Sequence, residues 1–208
     1  MRSYSTPEAV LLDMDGTLVD SDGAVERAWA AWAAEYGVDP ALALANAHGS
    51  PATVTAARLR PDLDPAQVET AAARQLELQY DDLADVVPTA GAERLLAALD
   101  RIGLPWAVVT SADDRLAKAR LAAAGIRPPL LFTFEDVARG KPDPEGYLLA
   151  AKALGVDPAA CLVVEDSEPG LAAGRAAGAM TAALRGLDAD VRLTDLGHLA
   201  ELLVPDGR

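Results

Sequence analysis

Four short stretches hold side chains whose types and spacing could do chemistry. "LLDMDGT" places two carboxylates, Asp13 and Asp15, two residues apart behind an apolar run. On a strand that spacing turns both to the same side. Like charges that close repel, and each raises the other's pKa unless a cation sits between them. "WAVVTS" supplies Thr110 and Ser111, "GKPDPE" supplies Lys141, and "CLVVEDS" supplies Glu165 and Asp166. Asp13, Asp15 and Asp166 are hard oxygen ligands of the kind that suits Mg2+, which keeps several waters and shares a substrate phosphate. A carboxylate held ionised beside such an ion can attack phosphorus. Thr110 can donate to a phosphoryl oxygen, and Lys141 can neutralise the charge on those oxygens and hold the nucleophile in place. A second acid must then protonate the leaving alcohol and deprotonate the attacking water.

These residues act together only if the fold gathers them. Val10–Met14 reads as a buried strand. After Pro88 apolar runs alternate with helices. Helix Ala92–Arg101 precedes "WAVVTS", and helix Asp113–Ala124 stops at Gly125, a helix-ending glycine. "LLFTF" is followed by helix Pro144–Leu154, "CLVVED" by helix Gly170–Ala177, and "MTAAL" by a closing helix near Leu196–Leu202. Alternating strands and helices predict an α/β fold, a Rossmann-like parallel sheet with helices on both faces. Ligands of such sheets bind outside the carboxyl ends of the strands, where each of the four stretches delivers its polar residues. Between Asp20 and Asp85 the texture is different, rich in Ala, Leu, Arg, Glu and Gln. Helices are expected at Gly23–Tyr36, closed by Gly37 and Pro40, at Pro51–Leu59 and at Pro65–Leu83. The chain thus divides into an α/β core, 1–19 and 86–208, and an inserted α-helical bundle, 20–85. Trp29 and Trp32 are expected in the core of the insert, Arg58 and Arg74 on solvated helix faces, Glu168 at a helix N-terminus, and Cys161 as inert packing.

The 208 residues include 51% hydrophobic and 24% charged side chains, the balance of an ordinary globular protein. A formal charge of −14 argues against nucleic acid or an anionic membrane as partner, so the positive charge needed for a phosphorylated ligand must be local. The single cysteine rules out an intramolecular disulfide and fits a reducing compartment. With no signal-like or bilayer-length apolar run, a cytoplasmic protein is expected, a monomer or weak homodimer acting on a small phosphorylated metabolite.

"DMDGT", "VVTS", "GKPDPE" and "VVEDS" together resemble the four motifs of the haloacid dehalogenase-like superfamily of phosphotransferases. The resemblance implies that Asp13 is the nucleophile and Asp15 the general acid/base, whose backbone carbonyl also contacts Mg2+. It implies phosphate binding by Gly16, Thr110, Ser111 and Lys141, a metal ligand at Asp166, and a supporting role in the metal shell for Glu165. The insert is similar to the helical cap of the group holding β-phosphoglucomutase and small sugar-phosphate phosphatases. Dehalogenases of the superfamily lack an acid at the position of Asp15. β-Phosphoglucomutases carry a cap histidine where this chain has Val25. Phosphonoacetaldehyde hydrolases use a cap lysine, and Asp20–Asp85 contains none. The implied activity is Mg2+-dependent hydrolysis of a small sugar or polyol phosphate through an aspartyl-phosphate. The alternatives are a sugar phosphomutase, a phosphoglycolate phosphatase-like activity and a non-catalytic sugar-phosphate sensor. "AHGSPATVT" resembles a cap loop reading "HGR" in polyol- and sugar-phosphate phosphatases, which implies substrate contacts from His48 and Gly49, with Ser50 in place of the arginine.

Overall fold

The computed structural model describes residues 6–46 and 51–204. The chain runs through β1 (Ala9–Leu12), β2 (Val19–Asp20), α1 (Asp22–Tyr36), α2 (Pro40–Leu44), α3 (Ala52–Leu59) and α4 (Pro65–Tyr80). It continues through β3 (Val87–Pro88), α5 (Ala92–Ile102), β4 (Trp106–Val109), α6 (Asp114–Ala123), β5 (Leu131–Phe132) and α7 (Glu145–Leu154). Last come β6 (Cys161–Glu165), α8 (Glu168–Ala176), β7 (Met180–Ala183), β8 (Val191–Arg192) and α9 (Leu196–Leu203).

Six strands form one sheet in the order β5-β4-β1-β6-β7-β8, and every neighbouring pair is parallel. Strand alternation divides the apolar runs between two faces. Val10, Leu12, Val108 and Val164 pack with Leu95 and Leu99 of α5, Leu116 of α6 and Leu196 of α9. Ala9, Leu11, Val109, Cys161 and Val163 pack with Tyr147 and Ala150 of α7 and Ala173 of α8. Each fully buried Leu or Val contributes about 1.5–3 kcal/mol. The doubly buried sheet explains why these strands read as continuous apolar runs.

Strand β1 ends at Leu12, so Asp13 is the first residue beyond the paired segment, and its N–H still donates to Val164 O at 3.0 Å. Asp15 lies in a turn in which Thr17, Leu18 and Val19 all donate to Met14 O, so its direction is set by that turn and not by strand alternation. Three further differences have local causes. Pro40 opens α2, with Asp39 accepting from Ala41 N at 2.8 Å, because proline fits the first helical turn. Helix α4 stops at Tyr80, three residues before the expected Leu83, where "DD" follows. Strands β2, β3 and β8 are two residues each, too short to show a period.

Helices α1–α4 lie between β2 and β3, which pair antiparallel, Val19 opposite Pro88 and Asp20 opposite Val87. The insert has its own apolar cluster, with Trp29, Trp32, Ala33, Ala56 and Ala71 buried together. Trp32 Nε1 donates to Ala71 O at 2.8 Å, which satisfies the indole inside that core. Helix α4 begins with a reciprocal cap between Asp64 and Gln67. Arg58 and Arg74 are both open to solvent as expected, and Arg74 also pairs with Glu35 at 2.8 Å, which ties α4 to α1. Among the described residues no helix is long and apolar enough to cross a membrane.

Candidate active site

Three rows of side chains on the α7 face of the sheet meet at its carboxyl edge. Ala9 and Leu11 lead to Asp13, Cys161 and Val163 lead to Glu165, and Ala107 leads to Val109. Lys141, from the loop before α7, closes the group. Its Nζ donates to Asp13 Oδ1 at 2.5 Å, to Glu165 Oε1 at 2.6 Å and to Val109 O at 2.9 Å. All three ammonium donors are thereby used. Tyr147 Oη also donates to Glu165 Oε1 at 2.7 Å. Glu165 Oε2 accepts from Ser167 Oγ at 2.9 Å and from the N–H groups of Asp166 and Ser167 at 3.2 and 3.3 Å. Glu165 is fully buried, and both its oxygens are committed to protein donors. It anchors Lys141 from behind, while Lys141 faces Asp13.

Negative charge dominates the cluster. Burial first, then Glu165 and Asp166, push Asp13 well above the usual carboxylate range, with Lys141 pulling it down. Burial and Glu165 push Asp166 up to about 7, against Arg185 and Lys141. Burial works against the Lys141 charge, but Asp13 and Glu165 outweigh it and raise its pKa. Ligand oxygens of Asp13, Glu165 and Asp166 lie within 4.8 Å of one another, an all-oxygen set able to hold a hard cation. Since Glu165 is already saturated, Asp13 and Asp166 are the carboxylates placed to face such an ion.

The Asp15 side chain turns elsewhere. Its Oδ1 accepts from Ser21 Oγ at 2.7 Å and from Arg120 Nη1 at 2.8 Å. Thr110 is buried beside the cluster and its Oγ1 accepts from Ala112 N at 3.1 Å. Gly16 has φ +78°, and a Cβ there would lie 2.1 Å from Asp166 Oδ2, so only glycine lets the turn approach this carboxylate. Arg185 reaches in from the far end of β7, its Nε 2.9 Å from Asp166 Oδ2 and its Nη2 2.9 Å from Asp22 Oδ1.

Above the cluster a cavity of about 390 Å3 separates the sheet edge from the insert. Asp13, Asp15, Thr110, Ser111, Lys141 and Asp166 line its core side, and Val25, Trp29, Gln75, Leu76 and Gln79 line the other. Trp29 thus belongs both to the insert's core and to the cavity wall. Glu168 sits in the first turn of α8 and Cys161 is buried in β6, as expected. His48 and Gly49 lie outside the described residues.

Arg120, Gln75, Gln79 and Arg185 were not marked by any motif. The two glutamines sit four apart in "ARQLELQY", a spacing that puts both on one helix face. Which neighbour that face meets is a matter of tertiary packing. Arg120 looks in sequence like any basic residue of an exposed helix, yet it is 2% exposed.

A family model described as haloacid dehalogenase-like hydrolase matches residues 7–178. Hexitol phosphatase A of Escherichia coli is 41% identical over 169 residues, covering 81% of this chain and 78% of that protein. The 2-deoxyglucose-6-phosphate phosphatase 1 of Saccharomyces cerevisiae is 35% identical over 200 residues, covering 87% and 80%. A β-phosphoglucomutase from Clostridium difficile shares the fold, with a TM-score of 0.82 at 19% identity and 93% of each chain covered. The match over most of the chain, the sheet order and the gathering of Asp13, Lys141 and Asp166 at one sheet edge agree: this chain belongs to the haloacid dehalogenase-like hydrolases.

Proposed function

We propose that this chain hydrolyses the phosphate monoester of a small sugar or polyol, with Mg2+ as cofactor and phospho-Asp13 as intermediate. The observation that carries the reading is the buried contact of 2.5 Å between Lys141 Nζ and Asp13 Oδ1, at the mouth of a cavity large enough for a small metabolite. The names of the relatives, phosphatases of a hexitol phosphate and of 2-deoxyglucose 6-phosphate, support the substrate class.

Asp13 and Asp166 would hold the ion, and an all-carboxylate pair with raised proton affinity fits a hard divalent cation. Bound there, it would supply charge neutralisation for the phosphoryl group. The rest falls to the chain. Lys141 keeps one Asp13 oxygen in place and adds positive charge beside the phosphoryl oxygens. Thr110 and Ser111 orient that group, whereas the N–H of Gly16, a phosphate contact by resemblance, already donates to Val19 O at 2.8 Å. Asp13 attacks phosphorus; an oxygen–phosphorus bond forms as the ester bond to the alcohol breaks, and Asp15 gives its proton to the departing oxygen. A water then loses its proton to Asp15 and attacks phospho-Asp13, releasing orthophosphate. The insert screens the cavity from bulk water. His48 and Gly49 complete the substrate contacts in this reading, and His48→Ala is expected to alter the order of preferred sugar phosphates. The reading also takes the protein as cytoplasmic, a monomer or weak dimer, without nucleic-acid or membrane partners.

The test is orthophosphate release from a panel of hexitol, glycerol, pentose and hexose phosphates, phosphoglycolate and β-glucose 1-phosphate, each with Mg2+ and with EDTA. EDTA-sensitive release concentrated on polyol and sugar phosphates is expected. Release unaffected by EDTA would remove the metal, and isomerised glucose phosphate without release would replace hydrolysis by mutase chemistry. Asp13→Asn is expected to lower turnover by about a thousandfold or more, as loss of a nucleophile does. Near-normal rates in that variant would rule out the covalent route.

A further inference from the structure

A buried hydrogen-bonded series crosses from the core to the insert along one wall of the cavity, and the proposed reaction steps do not use its far end. Arg120 of α6 donates from Nη1 to Asp15 Oδ1 at 2.8 Å and from Nη2 to Gln79 Oε1 at 2.6 Å. Gln79 Nε2 donates to Gln75 Oε1 at 2.7 Å. The direction of the series is fixed from one end. A guanidinium only donates, so Gln79 must present its oxygen to Arg120 and its nitrogen to Gln75. Gln75 must therefore present its own oxygen to Gln79, which leaves its NH2 group over. That Nε2 is buried with no hydrogen-bond partner, and so is Arg120 Nε. Arg120, Gln79 and Gln75 all line the cavity that holds Asp13 and Asp15. Buried donors without partners are rare in folded proteins, and one carried by a residue that lines a cavity is placed for an acceptor that a ligand could supply.

We propose that Gln75, oriented through Gln79 by Arg120, is a specificity-determining residue that donates a hydrogen bond to a hydroxyl oxygen on the alcohol part of the substrate. The proposal rests on the phosphatase reading above and narrows its substrate class to leaving groups carrying a neutral hydroxyl. Neutrality follows from the charges on the wall. The two amides are uncharged, and Val25, Trp29 and Leu76, which line the insert side of the cavity with them, are apolar. Arg120 and Gln79 act here as positioning residues.

The experiment measures kcat/KM of the wild type and of Gln75→Met for the best polyol or sugar phosphate of the panel and for each of its monodeoxy analogues. Inhibition by orthophosphate, which needs only the phosphate end of the site, is followed in parallel. One deoxy position is expected to cost the wild type about tenfold or more, the same position to cost Gln75→Met less than about threefold, and orthophosphate inhibition to be retained. Gln79→Glu tests the relay itself. It still accepts from Arg120 but can no longer donate to Gln75, so the Gln75 amide turns over and discrimination at that position is expected to vanish with Gln75 still in place. A wild type indifferent to every single deoxy substitution overturns the proposal, whether or not Gln75→Met folds. So does an undiminished deoxy penalty in Gln75→Met or in Gln79→Glu. A wild type that hydrolyses no phosphate ester overturns the phosphatase reading first and this proposal with it, an outcome distinct from the other two.

Discussion

Gly170 stands where any side chain would collide with the carboxylate that holds Lys141. A Cβ there would lie 1.8 Å from Glu165 Oε1, on a residue with no free space to withdraw into. Gly170→Ala is expected to cost about 1–3 kcal/mol of stability, the usual range for overpacking, and to lower turnover as Glu165 shifts and Lys141 loses its anchor. Urea unfolding and phosphate release check the two effects; a destabilised variant with normal turnover would show that Lys141 does not depend on Glu165. Cys161 gives a contrasting case. Burial first, then Asp157 and Glu8, push its thiol up to about 11, so thiolate is scarce at pH 8. Native protein is expected to resist a thiol reagent at pH 8 and to react once unfolded in urea. Fast native labelling would contradict the burial of β6. At this scale legibility followed locality. Asp13, Thr110 and Asp166 stand at the ends of apolar runs, and their positions in the cavity wall were readable from that, while Lys141 was readable from the loop that follows the third of the long runs. Gln75 and Arg120 were not, because an amide in a helix carries no local sign of the partner that orients it. Nor was the turn of the Asp15 side chain toward Arg120, a partner 105 residues away.

Besides the Arg120–Gln79 contact, helix α4 meets the core through a hydroxyl. Tyr80 Oη donates to Asp113 Oδ2 at 2.8 Å, while Asp113 Oδ1 accepts from Leu116 N and caps α6. Burial first, then Asp113, raise the Tyr80 hydroxyl to about 12 from its ordinary 10, so it stays protonated at neutral pH. The sign follows for a proton held more tightly in the folded state: the contribution is full below about pH 10 and is lost as pH rises toward about 12. Tyr80→Phe is expected to lower stability by about 0.5–1.5 kcal/mol at pH 7, seen as a lower urea midpoint. An unchanged midpoint would mean that the contact contributes nothing to folding. The long elements were legible because their patterns are strong: β1, β4 and β6 as apolar runs, and α1, α5 and α7 as helices, which the structure ends at Gly37, Gly103 and Gly155. Strands β2, β3 and β8 and helix α2 were not, since pairing across distant segments, and a capping Asp39 before Pro40, decide them without any extended pattern.

Taken whole, the molecule carries a formal charge of −14 and yet gathers Lys141, Arg120 and Arg185 around one cavity. A cation bound only by the folded state must also stabilise it. Mg2+ at a hundred times its dissociation constant is expected to add about 2.7 kcal/mol, measured as a raised unfolding midpoint. Asp166→Asn is expected to lose most of that gain, and equal Mg2+ stabilisation in this variant would place the ion elsewhere. The cavity is walled by α1 and α4 on one side and by the sheet edge and α6 on the other, a relation between segments that composition and periodicity do not encode. One feature of the architecture reaches beyond this single chain. The paired β2 and β3 bring the two ends of the insert side by side, Val19 opposite Pro88 and Asp20 opposite Val87. Closing a loop costs little more as the loop grows, so the sheet is nearly indifferent to what hangs from that mouth. An ancestor could therefore trade one helical cassette for another by recombination at two neighbouring joints, inheriting the phosphoryl chemistry unchanged while acquiring a new diet.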